Sequence, residues 1–250
     1  MPRVSLASLR VLLTRPLGKG QDEWAAALAA AGAEPIAFPT LTTAPPGSWA
    51  AVDAALARLP DYDFLVFTSQ TTVDFLVCRM PGRRFPPNLR ATIAAVGPAT
   101  ARAIATAGGV VALLPDDNRQ EGLLEALRPV AAGKRVLLPM AAGGRALLAE
   151  TLCTWGGEVD VVTVYQTVPK AALGAPPPFD AAIFASPSAL RAYLAAAGVA
   201  SLAGKIVAAI GPVTAQEAAA NGIPTVVAAS PDIDALILAL AQNARNQGVL

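Results

Sequence analysis

Phe179–Leu190 reads FDAAIFASPSAL: an aromatic–Asp pair, an apolar run ending at Phe184, a turn of small and hydroxyl residues, and the opening of a helical pattern. Tyr62–Val73 repeats the unit as YDFLVFTSQTTV, with Ser69 standing where the later copy has Ser186, a lag of 117 residues. A short apolar run closed by Ser or Thr and followed by helical spacing fits a buried parallel strand feeding a helix. The first N–H groups of such a helix have no partner inside it, so the two turns are two potential anion sites.

Outward from these turns the chain continues to pair with itself. LRVLLT at Leu9–Thr14 has a partner in KRVLLP at Lys134–Pro139, with Arg10 and Arg135 separated by 125 residues. The first copy predicts a strand over Leu9–Thr14, a helix over Asp22–Ala31 stopped by Gly32, and a strand over Glu34–Leu41. The second predicts a helix through Leu152 and then GGEVDVVTVYQT at Gly156–Thr167. A third pair, ATIAAVGPATARAIATAGG at Ala91–Gly109 and KIVAAIGPVTAQEAAANGI at Lys205–Ile223, places Gly97 and Gly211 114 residues apart. Each copy is a strand, a Gly-Pro turn, a Thr and a helix closed by Gly or Asn-Gly. Strand–helix alternation in duplicate predicts an α/β fold with parallel sheets, helices on both faces and right-handed crossovers.

The 250 residues, 54% of them hydrophobic, suffice for two modest cores. Cutting at the repeat alone would divide the chain near Gly133. Proline content suggests another division, because PTLTTAPPG at Pro39–Gly47 and TVPKAALGAPPP at Thr167–Pro178 each follow the first unit of a half. If both are crossings, 1–39 and 171–250 form a discontinuous first domain and 40–170 a second. A cleft between them would be lined by strand carboxyl ends and helix N-termini. Hinge motion is then expected about 39–47 and 167–178.

A net charge of +1 with 15% charged residues gives no basic surface for nucleic acid or anionic lipid. The apolar stretches are Ala-rich and interrupted, and the first residues have neither a signal-peptide nor a membrane-span pattern, so a cytoplasmic protein is expected. Histidine is absent, which excludes Ser-His-Asp and Cys-His catalysis and histidine metal sites. Cys78 and Cys153 lack metal or redox spacing and read as reduced packing residues.

Several motifs in order carry a resemblance: TRP at Thr14–Pro16, FTS at Phe67–Ser69, AVGPATA at Ala95–Ala101, EGLLEAL at Glu121–Leu127, VYQT at Val164–Thr167, SPSALR at Ser186–Arg191 and AIGPVTA at Ala209–Ala215. Together they resemble the uroporphyrinogen-III synthase family along essentially the whole chain. The resemblance implies two flavodoxin-like parallel-sheet domains joined by a two-stranded β ladder. It implies a lyase of tetrapyrrole, porphyrin and heme biosynthesis. In that reaction hydroxymethylbilane is cyclised with loss of water and ring D is inverted through a spiro intermediate, giving uroporphyrinogen III. No metal or organic cofactor is implied, and the partner is a small molecule with eight carboxylates. A monomer is expected, with at most transient contact with the preceding pathway enzyme.

For those carboxylates the chain offers helix N-termini and arginines. The family's pattern matches Thr68, Ser69, Thr100, Ser186 and Thr214 to cleft-lining positions; Gln70 and Ser188 share their turns, and Arg15, Arg102 and Arg191 stand close by in sequence. Each hydroxyl could instead be only an N-cap, and each arginine only a solvated helix face. Tyr165, the phenol of VYQT, is the candidate proton donor to the departing hydroxyl; a strand aromatic held by packing is its other reading. Gln70 and Thr71 stand where the family more often has Asn or Pro and a basic or small residue, Ala185 where it has Thr, and Met140 and Ala141 where Arg-Gly is frequent, so backbone N–H groups should carry more of the anion binding.

Weaker signals complete the reading. Gly18-Lys19-Gly20 lacks the rest of a phosphate loop. Gly143-Gly144-Arg145 is a turn before a helix whose arginine could reach an anion. Asp116-Asp117 reads as a solvated loop, and Trp24, Trp49 and Trp155 as packing residues. A different class, a non-catalytic two-domain binder of an anionic small molecule, would use the same hinge and turns.

Overall fold

The computed structural model describes residues 5–7, 9–16 and 19–246, so Gly18 of the Gly-Lys-Gly turn lies outside the described residues. In chain order the first elements are β1 (Arg10–Leu13), α1 (Lys19–Ala30), β2 (Glu34–Ala37), β3 (Leu41–Ala44), α2 (Ala50–Ala57), β4 (Phe64–Phe67), α3 (Gln70–Arg79), β5 (Thr92–Ala95), α4 (Pro98–Thr106), β6 (Val111–Leu113) and α5 (Gln120–Leu127). There follow β7 (Arg135–Ala141), α6 (Leu147–Thr154), β8 (Glu158–Pro169), β9 (Ala181–Phe184), α7 (Pro187–Ala197), β10 (Ile206–Ala209), α8 (Pro212–Ala220), β11 (Val226–Val227) and α9 (Ile233–Asn246). The chain divides into two compact units. Unit 1 is the chain through Thr42 together with Val168 onward, and unit 2 is Thr43–Thr167.

Unit 1 holds a sheet of order β11-β10-β9-β1-β2, with neighbours parallel throughout. The other sheet runs β3-β8-β7-β4-β5-β6, parallel from β8 to β6. Matching β7 to β1, β8 to β2 and β4 to β9 makes the two orders the same, the flavodoxin-like 2-1-3-4-5. The duplication is therefore realised strand for strand, with unit 2 using its copies in permuted chain order. The paired strands β3 and β8 are those within which the division between units falls.

Strand alternation decides which residues fill which core. Val11, Leu13, Ala181, Ile183, Ile206 and Ala208 face α1 and α9, while Leu12, Ala182, Phe184 and Val207 face α7 and α8. In unit 2, Leu65, Phe67, Ile93, Ala95 and Leu137 face α2, α3 and α4. Phe64, Val66, Ala94, Val136 and Leu138 face α5 and α6. With both faces covered, every residue of β4, β9 and β10 is buried, which is why these strands read as unbroken apolar runs.

The aromatic–Asp pairs have a structural job at the amino ends of the switch strands. Asp180 accepts from the Arg10 backbone N–H at 3.0 Å and from its guanidinium at 3.0 and 2.9 Å. Asp63 likewise accepts from the Arg135 N–H at 2.9 Å and from Lys134 at 3.2 Å. The Arg10 contacts hold the Asp180 carboxyl down at about 2, and backbone and Lys134 donors lower Asp63.

Two expectations need correction. The single strand over Glu34–Leu41 is two, β2 and β3, separated by Phe38–Thr40. Phe38 N–H still bonds Leu13 O at 2.8 Å, but Thr40 N–H then takes Thr14 O at 3.2 Å, one residue out of register, and the buried Thr40 hydroxyl donates to the Ala189 carbonyl at 3.1 Å. Cys78 and Cys153 are free, but exposed rather than packed. Among the described residues no helix is long and apolar enough to cross a membrane.

Candidate active site

In an open parallel sheet, ligands bind at the carboxyl ends of strands where the strand order reverses. That place is β1/β9 in unit 1 and β7/β4 in unit 2. The hydroxyl turns fall there in both.

Ser186 and Ser69 take the same conformation, φ −161° with ψ 155° and 156° respectively. Each caps its helix: Ser186 Oγ accepts from Ala189 N at 3.1 Å and Ser69 Oγ from Thr72 N at 3.2 Å. The extended Gly211 and Gly97 are a second matched pair, at φ −174° with ψ 177° and 176°, each followed by a proline at the first helical position. The glycines, not the threonines, hold those cap positions. Thr214 and Thr100 sit two residues after the prolines and are 3% exposed, offering far less surface than the exposed Ser188 and Gln70. Thr68 and Ser69 are half-buried.

In unit 1, Thr14 closes β1 against the switch strand, its buried hydroxyl donating to Ile183 O at 2.8 Å. Arg15 follows at once, its guanidinium 4.3 Å over the Trp24 ring. Burial lowers its pKa from the usual guanidinium value, opposed by Glu23, yet it stays charged at neutral pH. A stacked, partly desolvated guanidinium is a pre-oriented carboxylate receptor. Arg191 is instead paired with Glu217, and Arg102 is exposed.

In unit 2, Tyr165 is half-buried on β8, its ring stacked on Phe75 of α3 at 5.4 Å and 20°. Its carbonyl accepts from Ala142 N at 2.8 Å, so the loop after β7 starts on the strand that carries the phenol. Gln70, at the first position of α3, hydrogen-bonds Asp74, whose carboxyl is raised by burial against that bond. Tyr62 makes a poor rival to Tyr165: burial and a 2.6 Å bond to Asp160 push its phenol up to about 12.

Sequence reasoning did not anticipate the Trp24 platform under Arg15, the Phe75 platform under Tyr165, or the ion pair of Arg145 with Glu121 at 2.9 Å. Stacking partners five or more residues apart leave no periodic signature. Trp49 and Trp155, half-buried, also lie beneath guanidinium groups, those of Arg79 and Arg128. Two hollows of about 520 and 540 Å³ lie at the opposite, amino ends of the strands, one around Lys205 and Pro224, the other around Tyr62 and Thr92. Fold-level placement of ligands favours the carboxyl edges over these. Among the described residues no group of three or more Cys, Asp and Glu is gathered as a metal would require.

Comparison with known proteins gives this geometry its context. The family described as "Uroporphyrinogen-III synthase HemD" matches residues 22–238. The chain is 32% identical to the uroporphyrinogen-III synthase of Synechococcus elongatus over 98% of its own length and 99% of that protein. It is 31% identical to the Escherichia coli uroporphyrinogen-III synthase over 63% of this chain and 65% of that one. In fold it is similar to the crystal structure of uroporphyrinogen-III synthetase from Helicobacter pylori, with a TM-score of 0.58 at 19% identity over 95% of this chain and all of that one. A family match across most of the sequence and a relative aligned end to end, on a duplicated fold with paired hydroxyl turns, establish that the chain belongs to the uroporphyrinogen-III synthase family.

Proposed function

We propose that this chain catalyses the family's reaction, the dehydrating cyclisation of hydroxymethylbilane to uroporphyrinogen III with inversion of ring D, as a cyclising hydro-lyase. Beside the family membership, the observation that carries the reading is the pair of turns at Ser69 and Ser186, alike in backbone to within about a degree. The Gln70 and Thr71 N–H groups after the first turn and the Ser188 N–H after the second have no intrahelical partner and are open to an anion, whereas the Thr72 and Ala189 N–H groups are held by the cap hydroxyls and Pro187 has none.

A linear tetrapyrrole with eight carboxylates is flexible, and its reactive end closes without inversion when left alone. The protein's task is to hold the chain in the less available geometry. Carboxylates are received by the N–H groups around Thr68, Ser69 and Gln70 and around Ser186 and Ser188, with Thr100 and Thr214 shaping the second turn of each unit. Arg15 on its indole adds a charge-assisted contact.

Loss of the terminal hydroxyl as water leaves an azafulvene, and Tyr165 donates the proton that makes the hydroxyl a leaving group. Ring D then attacks through its substituted carbon, and the spiro intermediate fragments and recloses inverted. A single chain suffices for this scheme in the cytoplasm. An azafulvene precursor that closes unaided favours transient contact with the enzyme supplying it.

The test generates hydroxymethylbilane in situ, with and without this protein, and separates the oxidised porphyrin isomers. Excess type III isomer is expected. Type I alone from folded protein would overturn the reading and leave an anion-binding protein.

A further inference from the structure

Arg145 lies at the carboxyl edge of unit 2 yet has no part in the scheme above. The loop holding it is tightly set. Strand register shifts between Met140 and Ala141, so that Ala141 pairs with Tyr165. Bulges of this kind re-aim the residues that follow. Ala142 N–H then bonds the Tyr165 carbonyl at 2.8 Å. Gly143 adopts φ +69°, and Gly144 N–H closes the turn on the Ala141 carbonyl at 3.1 Å. Arg145 is thus three residues from the main-chain bond to the candidate proton donor.

Its guanidinium donates to Glu121 Oε1 at 2.9 Å, with the two side chains 64% and 51% exposed. Glu121 lies in the first turn of α5, which packs beside α6 through Leu123, Leu127, Leu148 and Leu152. The pair therefore joins the starts of two neighbouring helices at the edge where the anion-accepting turns are found. An ion pair this exposed holds its partners weakly, and a ligand carboxylate could displace one carboxylate with another at little loss. Glu121 is held below the usual carboxylate range by its own backbone N–H and by Arg145, so it remains a charged competitor wherever the substrate is charged.

We propose that Arg145 is a substrate-binding residue that receives one carboxylate of the substrate, and that Glu121 holds it in the empty protein and is displaced when the substrate binds. The proposal rests on the reaction reading above. It makes Glu121 a competitor of the substrate, and that has a consequence in sign. Glu121→Gln releases the arginine and should lower KM, by about threefold if the lost pair is an ordinary exposed one. Arg145→Gln should raise KM by a similar or larger factor, with kcat moving less, and Arg145→Lys should recover most of the loss.

A merely structural pair would make both glutamine variants change in the same direction, together with a common fall in Tm. The experiment is steady-state kinetics of type III formation for the three variants, with Tm for each. Opposite shifts of KM sustain the proposal; shifts of the same sign, or none, overturn it. Should Arg145→Gln fail to fold, Glu121→Gln decides alone, since a KM unchanged or raised removes the competition. Absence of type III formation by the unsubstituted protein would instead refute the reaction reading, so the two failures are distinguishable.

Discussion

Tyr165 carries a contact that does not involve its hydroxyl, the stack on Phe75, and a main-chain bond from Ala142 that involves no side chain at all. Tyr165→Phe should therefore keep the ring in place and remove only the proton. Turnover is expected to fall on the order of 100-fold, the lower end of general-acid contributions, with KM nearly constant. Steady-state isomer analysis checks this, and near-full turnover would take the phenol out of the mechanism. The hydroxyl positions were readable at this scale because a cap residue follows its strand at a fixed offset, so Ser69 and Ser186 could be found from their surroundings. The platforms were not readable. Arg15 needs Trp24 beneath it, and the pairing depends on how α1 leaves β1, which no residue spacing encodes. Arg145 drew notice as a cation after two glycines, but its competitor Glu121 is brought to it only by the packing of α5 against α6.

Between residue and fold stand the clamps at the amino ends of β9 and β4. Asp180 joins both the N–H and the guanidinium of Arg10 across two strands far apart in sequence. Its carboxyl pKa is depressed from 3.8 to about 2 by those donors, so the stabilisation is complete above the unfolded value and disappears as pH falls through the folded one. Asp180→Asn should lower Tm by a few degrees at neutral pH, and the gap to the unsubstituted protein should close between about pH 4 and pH 2. Thermal melts across that range check it; a gap independent of pH would show that the charge is not what stabilises the junction. Element types followed from sequence wherever the two halves could be laid on each other, since a strand seen twice is hard to mistake for a buried helix segment. The misreading came where that support failed. The partner of Glu34–Leu41 is the unbroken β8, whereas the inward-turned Thr40, out of register with β1, divides the first copy into β2 and β3.

At the scale of the molecule, the duplication does not make the two units equal in how they are encoded. Every buried residue of the two unit 2 cores lies between Val52 and Val164, within the single segment Thr43–Thr167. The unit 1 cores instead draw on both ends of the chain: Val11, Leu12 and Leu13 of β1 pack among Ile183, Phe184, Ile206 and Leu236. Sheet topology adds to the asymmetry, because β1 sits between β9 and β2 and its loss would expose the inner edge of β9. Thr43–Thr167 expressed alone should therefore fold, with cooperative urea unfolding and an m-value in proportion to its length. The segment from Val168 onward should not, until the chain through Thr42 is supplied with it. Far-UV circular dichroism and urea titration of the separate and mixed segments check this. A folded, cooperative Val168–Leu250 would mean that β1 is dispensable to the core it bisects, and a disordered Thr43–Thr167 would mean that unit 2 depends on contacts beyond its own two cores.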